Sequence, residues 1–100
     1  MPNKPWKDFE RAMARLFNGT RFWANSGEAI DVESEHYVAQ CKHVNTMSLA
    51  EMCELAEMVE QQGKAKGKAG VLCVRFRKGQ GTKSTTLIVQ TEAVWRMSTR

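Results

Sequence analysis

The chain has no apolar run approaching the roughly 20 residues that a membrane-spanning helix needs. Its first residues, MPNKPWKDFE, hold no apolar segment of the kind that drives secretion. A cytoplasmic protein with no membrane partner is therefore expected. There is no CxxC pair and no even set of cysteines to build a disulfide framework. Cys41, Cys53 and Cys73 each fall within an apolar pattern and read as reduced, buried thiols. No spacing of His36 or His43 with Cys41 or Cys53 suits zinc. Neither an internal repeat nor a linker interrupts the 100 residues, so a single domain over 1–100 with one modest core is expected. One further absence is local. Between Lys64 and Lys83 there is no acid at all, against Lys64, Lys66, Lys68, Arg75, Arg77, Lys78 and Lys83. The segment before it carries Glu51, Glu54, Glu57 and Glu60, so one surface should be basic and another acidic. With a net charge of +4, that basic stretch favours contact with phosphates over simple solubilisation. No base-reading motif is present, so recognition would be of nucleic-acid backbone and shape.

What is there reads as alternating helices and strands. Residues 5–18 carry Trp6, Phe9, Met13, Leu16 and Phe17 at helical spacing, and Asn18-Gly19 ends the helix. Glu10 lies at the edge of that apolar stripe, flanked by Lys7, Arg11 and Arg15. Strands are predicted over 20–25, 29–33 and 37–44, the last two joined as a hairpin by Ser34, Glu35 and His36. Ser48-Leu-Ala-Glu51 is a capping box opening a helix over 48–62. Its apolar face is Leu49, Met52, Cys53, Leu55, Ala56 and Val59, with Met58 exposed among the acids opposite. Residues 63–70 read as a flexible basic loop, 71–76 as a central strand and 84–90 as a fifth strand. Thr91 caps a last helix with Val94, Trp95 and Met97. The order α-β-β-β-α-β-β-α makes an α/β fold, a mixed sheet flanked by helices.

On the hairpin, side-chain alternation sends Gln40 and Lys42 one way and Ala39 and Cys41 the other. Asp31 sits on the preceding strand. An acid, an amide oxygen and an ammonium group at one edge suit hydrolysis of a phosphodiester by a hard divalent ion. Asp31 would be the main ligand. Gln40 would add its side-chain oxygen, the Cys41 backbone carbonyl another, and Glu10 a second carboxylate from the first helix. Lys42 would orient the attacking water and offset charge at the phosphate. Glu33, on the face of Asp31, is an alternative ligand for a second metal. The plainer alternative is that Asp31 is an edge residue and Gln40 and Lys42 a solvated strand face.

These residues resemble the PD-(D/E)xK nuclease superfamily. FERAMARLF is similar to its first helix, NSGEAID to its approach to the Asp, YVAQCK to its core strand, and MSLAEMCELAE to the helix that follows. The resemblance implies a restriction-endonuclease-like fold, Mg²⁺ or Mn²⁺ as cofactor, and DNA as substrate. Compact size and the helix-one Glu10 look most like Holliday junction resolvases of the archaeal and phage type. That implies a prokaryotic or phage-encoded homodimer that cuts branched DNA in recombination. Ser26 falls where such resolvases carry a Ser near the scissile phosphate. Arg11, Arg21, Lys64, Lys66, Lys68, Lys78 and Lys83 would contact DNA. The pattern departs from the family twice. Gln40 stands in the usual Glu position, as in Mrr-type nucleases, and Ile30 where a Pro often precedes the Asp. Two alternatives follow: a general or nicking Mrr-like nuclease, and a nucleic-acid-binding module whose catalytic site has degenerated.

Overall fold

A computed structural model describes residues 5–21, 30–77 and 84–98, except the side chains of 5 and 6. The elements are α1 (Pro5–Leu16), β1 (Thr20–Arg21), β2 (Val32–Glu33), β3 (Tyr37–Val44), α2 (Leu49–Ala65), β4 (Ala69–Phe76), β5 (Thr85–Val89) and α3 (Glu92–Ser98). The five strands form one open mixed sheet in the order β1-β2-β3-β4-β5. β1, β2 and β3 make an antiparallel meander. α2 then crosses over to lay β4 parallel to β3, and β5 returns antiparallel to β4. Among the described residues no helix is long and apolar enough to cross a membrane.

Strand alternation divides the core into two layers. On one face Phe9, Met13 and Ala14 of α1 and Val94 of α3 pack on Val32, Ala39, Val71 and Cys73. On the other, Val59 of α2 packs on Val38, Leu72 and Val74. β4 carries buried residues from Ala69 to Val74 because both of its faces are covered. α1 stops where Asn18 turns to a positive φ of 57° and the Gly19 N–H bonds back to the Ala14 carbonyl. Ser48 caps α2, its hydroxyl accepting from the Glu51 N–H.

Four sequence expectations need correction. α2 does not end at 62: Gly63, Lys64 and Ala65 continue it, and 69–70 already belong to β4, so the basic loop shrinks to 66–68. The apolar face of α2 is displaced toward its C-terminus. Leu49 is 79% exposed and Cys53 is exposed, whereas Ala56, Val59, Glu60 and Gly63 are buried. The cause is that α2 meets β4 at Val59 and Gly63, leaving its first turn overhanging. Buried Glu60 accepts from the Thr91 hydroxyl (2.8 Å) and pairs with Lys64 (3.2 Å), tying α2 to the cap of α3. On α1, Leu16 is exposed and Ala14 takes its place in the stripe. Residues 22–25 and 29 of the predicted first and second strands lie outside the described residues.

The thiols differ accordingly. Cys41 and Cys73 face one another across β3 and β4, and their hydrogen bond, with burial, pushes the Cys41 thiol far up. Cys53 is exposed. A bulky aromatic disulfide should therefore titrate one thiol quickly in the native protein and all three after unfolding. Two fast thiols would contradict this packing.

Candidate functional site

β2 is short for a chemical reason. It pairs with β3 through Val32 and Glu33, and the Asp31 N–H still donates to the Ala39 carbonyl at 2.9 Å. The next β3 N–H on that edge is Cys41's, and it donates to Asp31 Oδ2 at 2.7 Å. A side-chain carboxylate thus replaces a backbone rung, and β2 leaves β3 at that point. A strand residue sends its N–H and C=O to the same side. The Cys41 carbonyl therefore faces this edge too.

Gln40 and Lys42 share the α2 face of β3 with Val38 and Val44, as alternation predicts. His43 lies on the α1 face, its ring 6.2 Å from that of Phe9. In register Gln40 stands opposite the position of Asp31, one step beyond Val32 and Ala39. Its amide Oε1 is buried and accepts no hydrogen bond among the described residues. Such an orphaned acceptor costs about 1–3 kcal/mol unless a ligand satisfies it.

Glu10 comes near Asp31 from α1. It is only 8% exposed, and its Oε1 accepts from Arg21 Nε of β1 at 2.7 Å. Burial pushes the Glu10 carboxyl above its ordinary range, and the charge of Asp31 adds to this while Arg21 opposes it. Burial likewise raises Asp31, against the Cys41 N–H and the charges of Lys42 and Arg21. Arg21 thus acts on both carboxylates, Lys7 on Glu10 and Lys42 on Asp31. Sequence reasoning had put Arg21 among the DNA contacts. Its place beside Glu10 depends on the α1–β1 corner, which no periodicity reports.

The donor set suits a hard cation in kind: carboxylate oxygens of Asp31 and Glu10, the Gln40 amide oxygen and the Cys41 carbonyl. It is short of charge. Among the described residues no group of three or more His, Cys, Asp or Glu gathers around one point. Glu33 does not join the site, because Lys66 (3.0 Å) and Lys68 bind it instead and hold its carboxyl low.

The cations divide between the two ends of the sheet. Lys66 and Lys68 sit beside Tyr37, which pairs with Ala69. That is five strand residues from Lys42, or roughly 16 Å at about 3.3 Å per residue. Lys64 is paired with Glu60, and Arg11 with Asp8 at 3.1 Å on the surface of α1. These four basic residues are not placed beside Asp31 and Gln40. Ser26, Lys78 and Lys83 lie outside the described residues. At the other end, the β3–β4 register sets Val74 beside Lys42 and Arg75 beside His43. The Arg75 guanidinium lies 4.5 Å over the Phe9 ring and donates to the Thr86 hydroxyl at 3.1 Å. Burial, then the charges of Arg77 and Arg75, lower the His43 pKa. Arg75 and Arg77 had been read only as part of a basic stretch. Their position beside the Lys42 end of β3 follows from a parallel register that the sequence does not encode locally.

Compared with protein-family models, curated proteins and solved structures, the chain matches none.

Proposed function

We propose that the chain is a divalent-metal-dependent DNA endonuclease of the restriction-endonuclease-like kind, with Glu10, Asp31, Gln40 and Lys42 as its site. The observation that supports this best is buried Glu10 beside half-buried Asp31 where β2 leaves β3, with Arg21 acting on both carboxylates and Lys42 on Asp31. Mg²⁺ or Mn²⁺, when bound, would supply Lewis acidity and a water acidic enough to attack near neutral pH. Asp31 holds it with its free oxygen, helped by Gln40 Oε1, the Cys41 carbonyl and Glu10. Lys42 orients the water and offsets charge at the phosphate. Arg75 and Arg77 give the same end of the sheet a basic approach for the DNA backbone. A junction-resolving homodimer is the finer reading, since two paired cuts need two sites related by a two-fold axis. A cytoplasmic location accompanies it.

A second reading has two observations in its favour. Arg21 already occupies Glu10, and an amide stands in the usual acidic position at 40, as in a binding module that has lost catalysis. Incubating four-way, flapped and linear duplex DNA with Mg²⁺ separates the possibilities. Preferential cutting of the four-way substrate supports the resolvase, and equal cutting supports a general nuclease. Salt-sensitive binding with no cutting supports the module. Gln40→Glu should raise divalent-cation affinity by about tenfold in a direct titration, because a carboxylate replaces a neutral oxygen beside Asp31. An unchanged or weaker affinity would remove Gln40 from the ligand set.

A further inference from the structure

We propose that Arg21 is a positioning residue that holds Glu10 out of the metal shell in the DNA-free protein, competes with the divalent cation for it, and is released toward a DNA phosphate when cation and DNA bind together. This rests on the nuclease reading above and adds the means by which the site changes between its resting and loaded states.

The contact is built rather than incidental. Glu10 and Arg21 lie eleven residues apart, on α1 and β1, and both side chains are largely buried, 11% and 16% exposed. At 2.7 Å the bond is a short, charge-assisted one. Arg21 also acts on Asp31, so one guanidinium serves both acids. In this state Arg21 supplies the positive charge that a divalent cation would otherwise bring. While Glu10 Oε1 accepts from Arg21 Nε, only Oε2 is left to a cation, and a cation entering beside a fixed guanidinium meets like charge. Two cations therefore compete for one carboxylate. When ion and phosphodiester arrive together and the ion takes Glu10, the guanidinium is left without its partner beside the phosphodiester. A planar fork of N–H donors is the side chain best matched to that group. Resting neutrality and substrate capture then come from the same residue.

The consequences are measurable without turnover. Mn²⁺ is titrated into DNA-free protein, with free ion read by electron paramagnetic resonance. Wild type should bind weakly, with Asp31 as its only carboxylate ligand, so Asp31→Asn loses the binding. Arg21→Gln should bind about tenfold more tightly, because Glu10 is freed and a like charge removed. The double variant Glu10→Gln/Arg21→Gln keeps an amide pair in place of the ion pair and should return to the wild-type affinity. In Ca²⁺, which should permit binding without cutting, Arg21→Gln should bind a four-way junction about tenfold more weakly than wild type by fluorescence anisotropy. A purely structural Arg21 would not tighten cation binding when removed. Asp31-dependent Mn²⁺ binding that Arg21→Gln leaves unchanged or weakens overturns the competition while leaving the metal site standing. A double variant about tenfold weaker than wild type means that Glu10 already ligates, and it overturns the proposal even if Arg21→Gln does not fold. Equal junction affinity in Ca²⁺ overturns the release toward phosphate. No Asp31-dependent Mn²⁺ binding in wild type overturns the nuclease reading and this proposal together.

Discussion

Asp31→Asn is expected to make the protein more stable at neutral pH and, on the nuclease reading, to cut metal-dependent cleavage by about 1,000-fold or more. The two effects have one origin. Burial raises the Asp31 pKa above its ordinary value of 3.8, so the folded state holds this proton more tightly than the unfolded chain does. A group raised on folding contributes stability that is fully present below the unfolded pKa. That contribution is lost as pH rises through the folded pKa. At pH 7 the ionised carboxylate therefore costs stability. Asn removes that cost and can still accept the Cys41 N–H through its amide oxygen. A gain of about 1 kcal/mol is the usual scale for such a relief. Glu10 is raised in the same sense, whereas Glu33 and Glu60 are lowered by their lysine and threonine partners and act oppositely, losing their contribution as pH falls. The absolute pH profile thus mixes signs. The difference between wild type and Asp31→Asn isolates one of them: urea unfolding at pH 4 and pH 7 should show the variant's advantage growing with pH. A destabilised variant at pH 7 would mean that Asp31 is held for structure alone.

Gly70→Ala should have the largest effect on stability, a loss of at least about 3 kcal/mol or outright failure to fold. The Cβ position at Gly70 is 1.9 Å from the Val59 carbonyl oxygen and 2.5 Å from its carbon, so the new atom meets helix backbone rather than a side chain that can swing aside. Gly63 is similarly hemmed, 2.6 Å from the Lys68 carbonyl oxygen and 2.7 Å from the Gly70 nitrogen. These two glycines let the backbone of α2 lie directly on β4. This contact anchors the β3-α2-β4 crossover and so fixes the strand that carries Gln40 and Lys42. A Gly70→Ala protein with an unchanged denaturation midpoint would refute that close approach. Gly67 is the internal control: it has a positive φ of 69° but open space around it, so Ala there should cost only about 1 kcal/mol.

Much of the scaffold is written locally. β3 runs from Tyr37 to Val44 as its alternation predicts, and Ser48 caps the following helix because a hydroxyl and an N–H three residues apart can meet only one way there. The site is legible to the same depth. Asp31, Gln40 and Lys42 are placed by the hairpin, and hairpin pairing follows from a three-residue loop. Two features escape local patterns. The Arg21–Glu10 bond needs the corner between α1 and β1, and the sequence holds several other arginines that could have served. The approach of Arg75 and Arg77 to the Lys42 end of β3 needs the parallel β3–β4 register, which is set by where α2 lands on β4. That landing point is recorded in Gly63 and Gly70, residues that composition alone reads as loop.

The most direct measurement is a time course of end-labelled four-way junction DNA with the wild-type protein and Asp31→Asn, each in Mg²⁺ and in EDTA. The account predicts product with the wild type in Mg²⁺ and none in the other three reactions. No product with folded wild type in Mg²⁺, product that survives EDTA, or undiminished cutting by Asp31→Asn would contradict it.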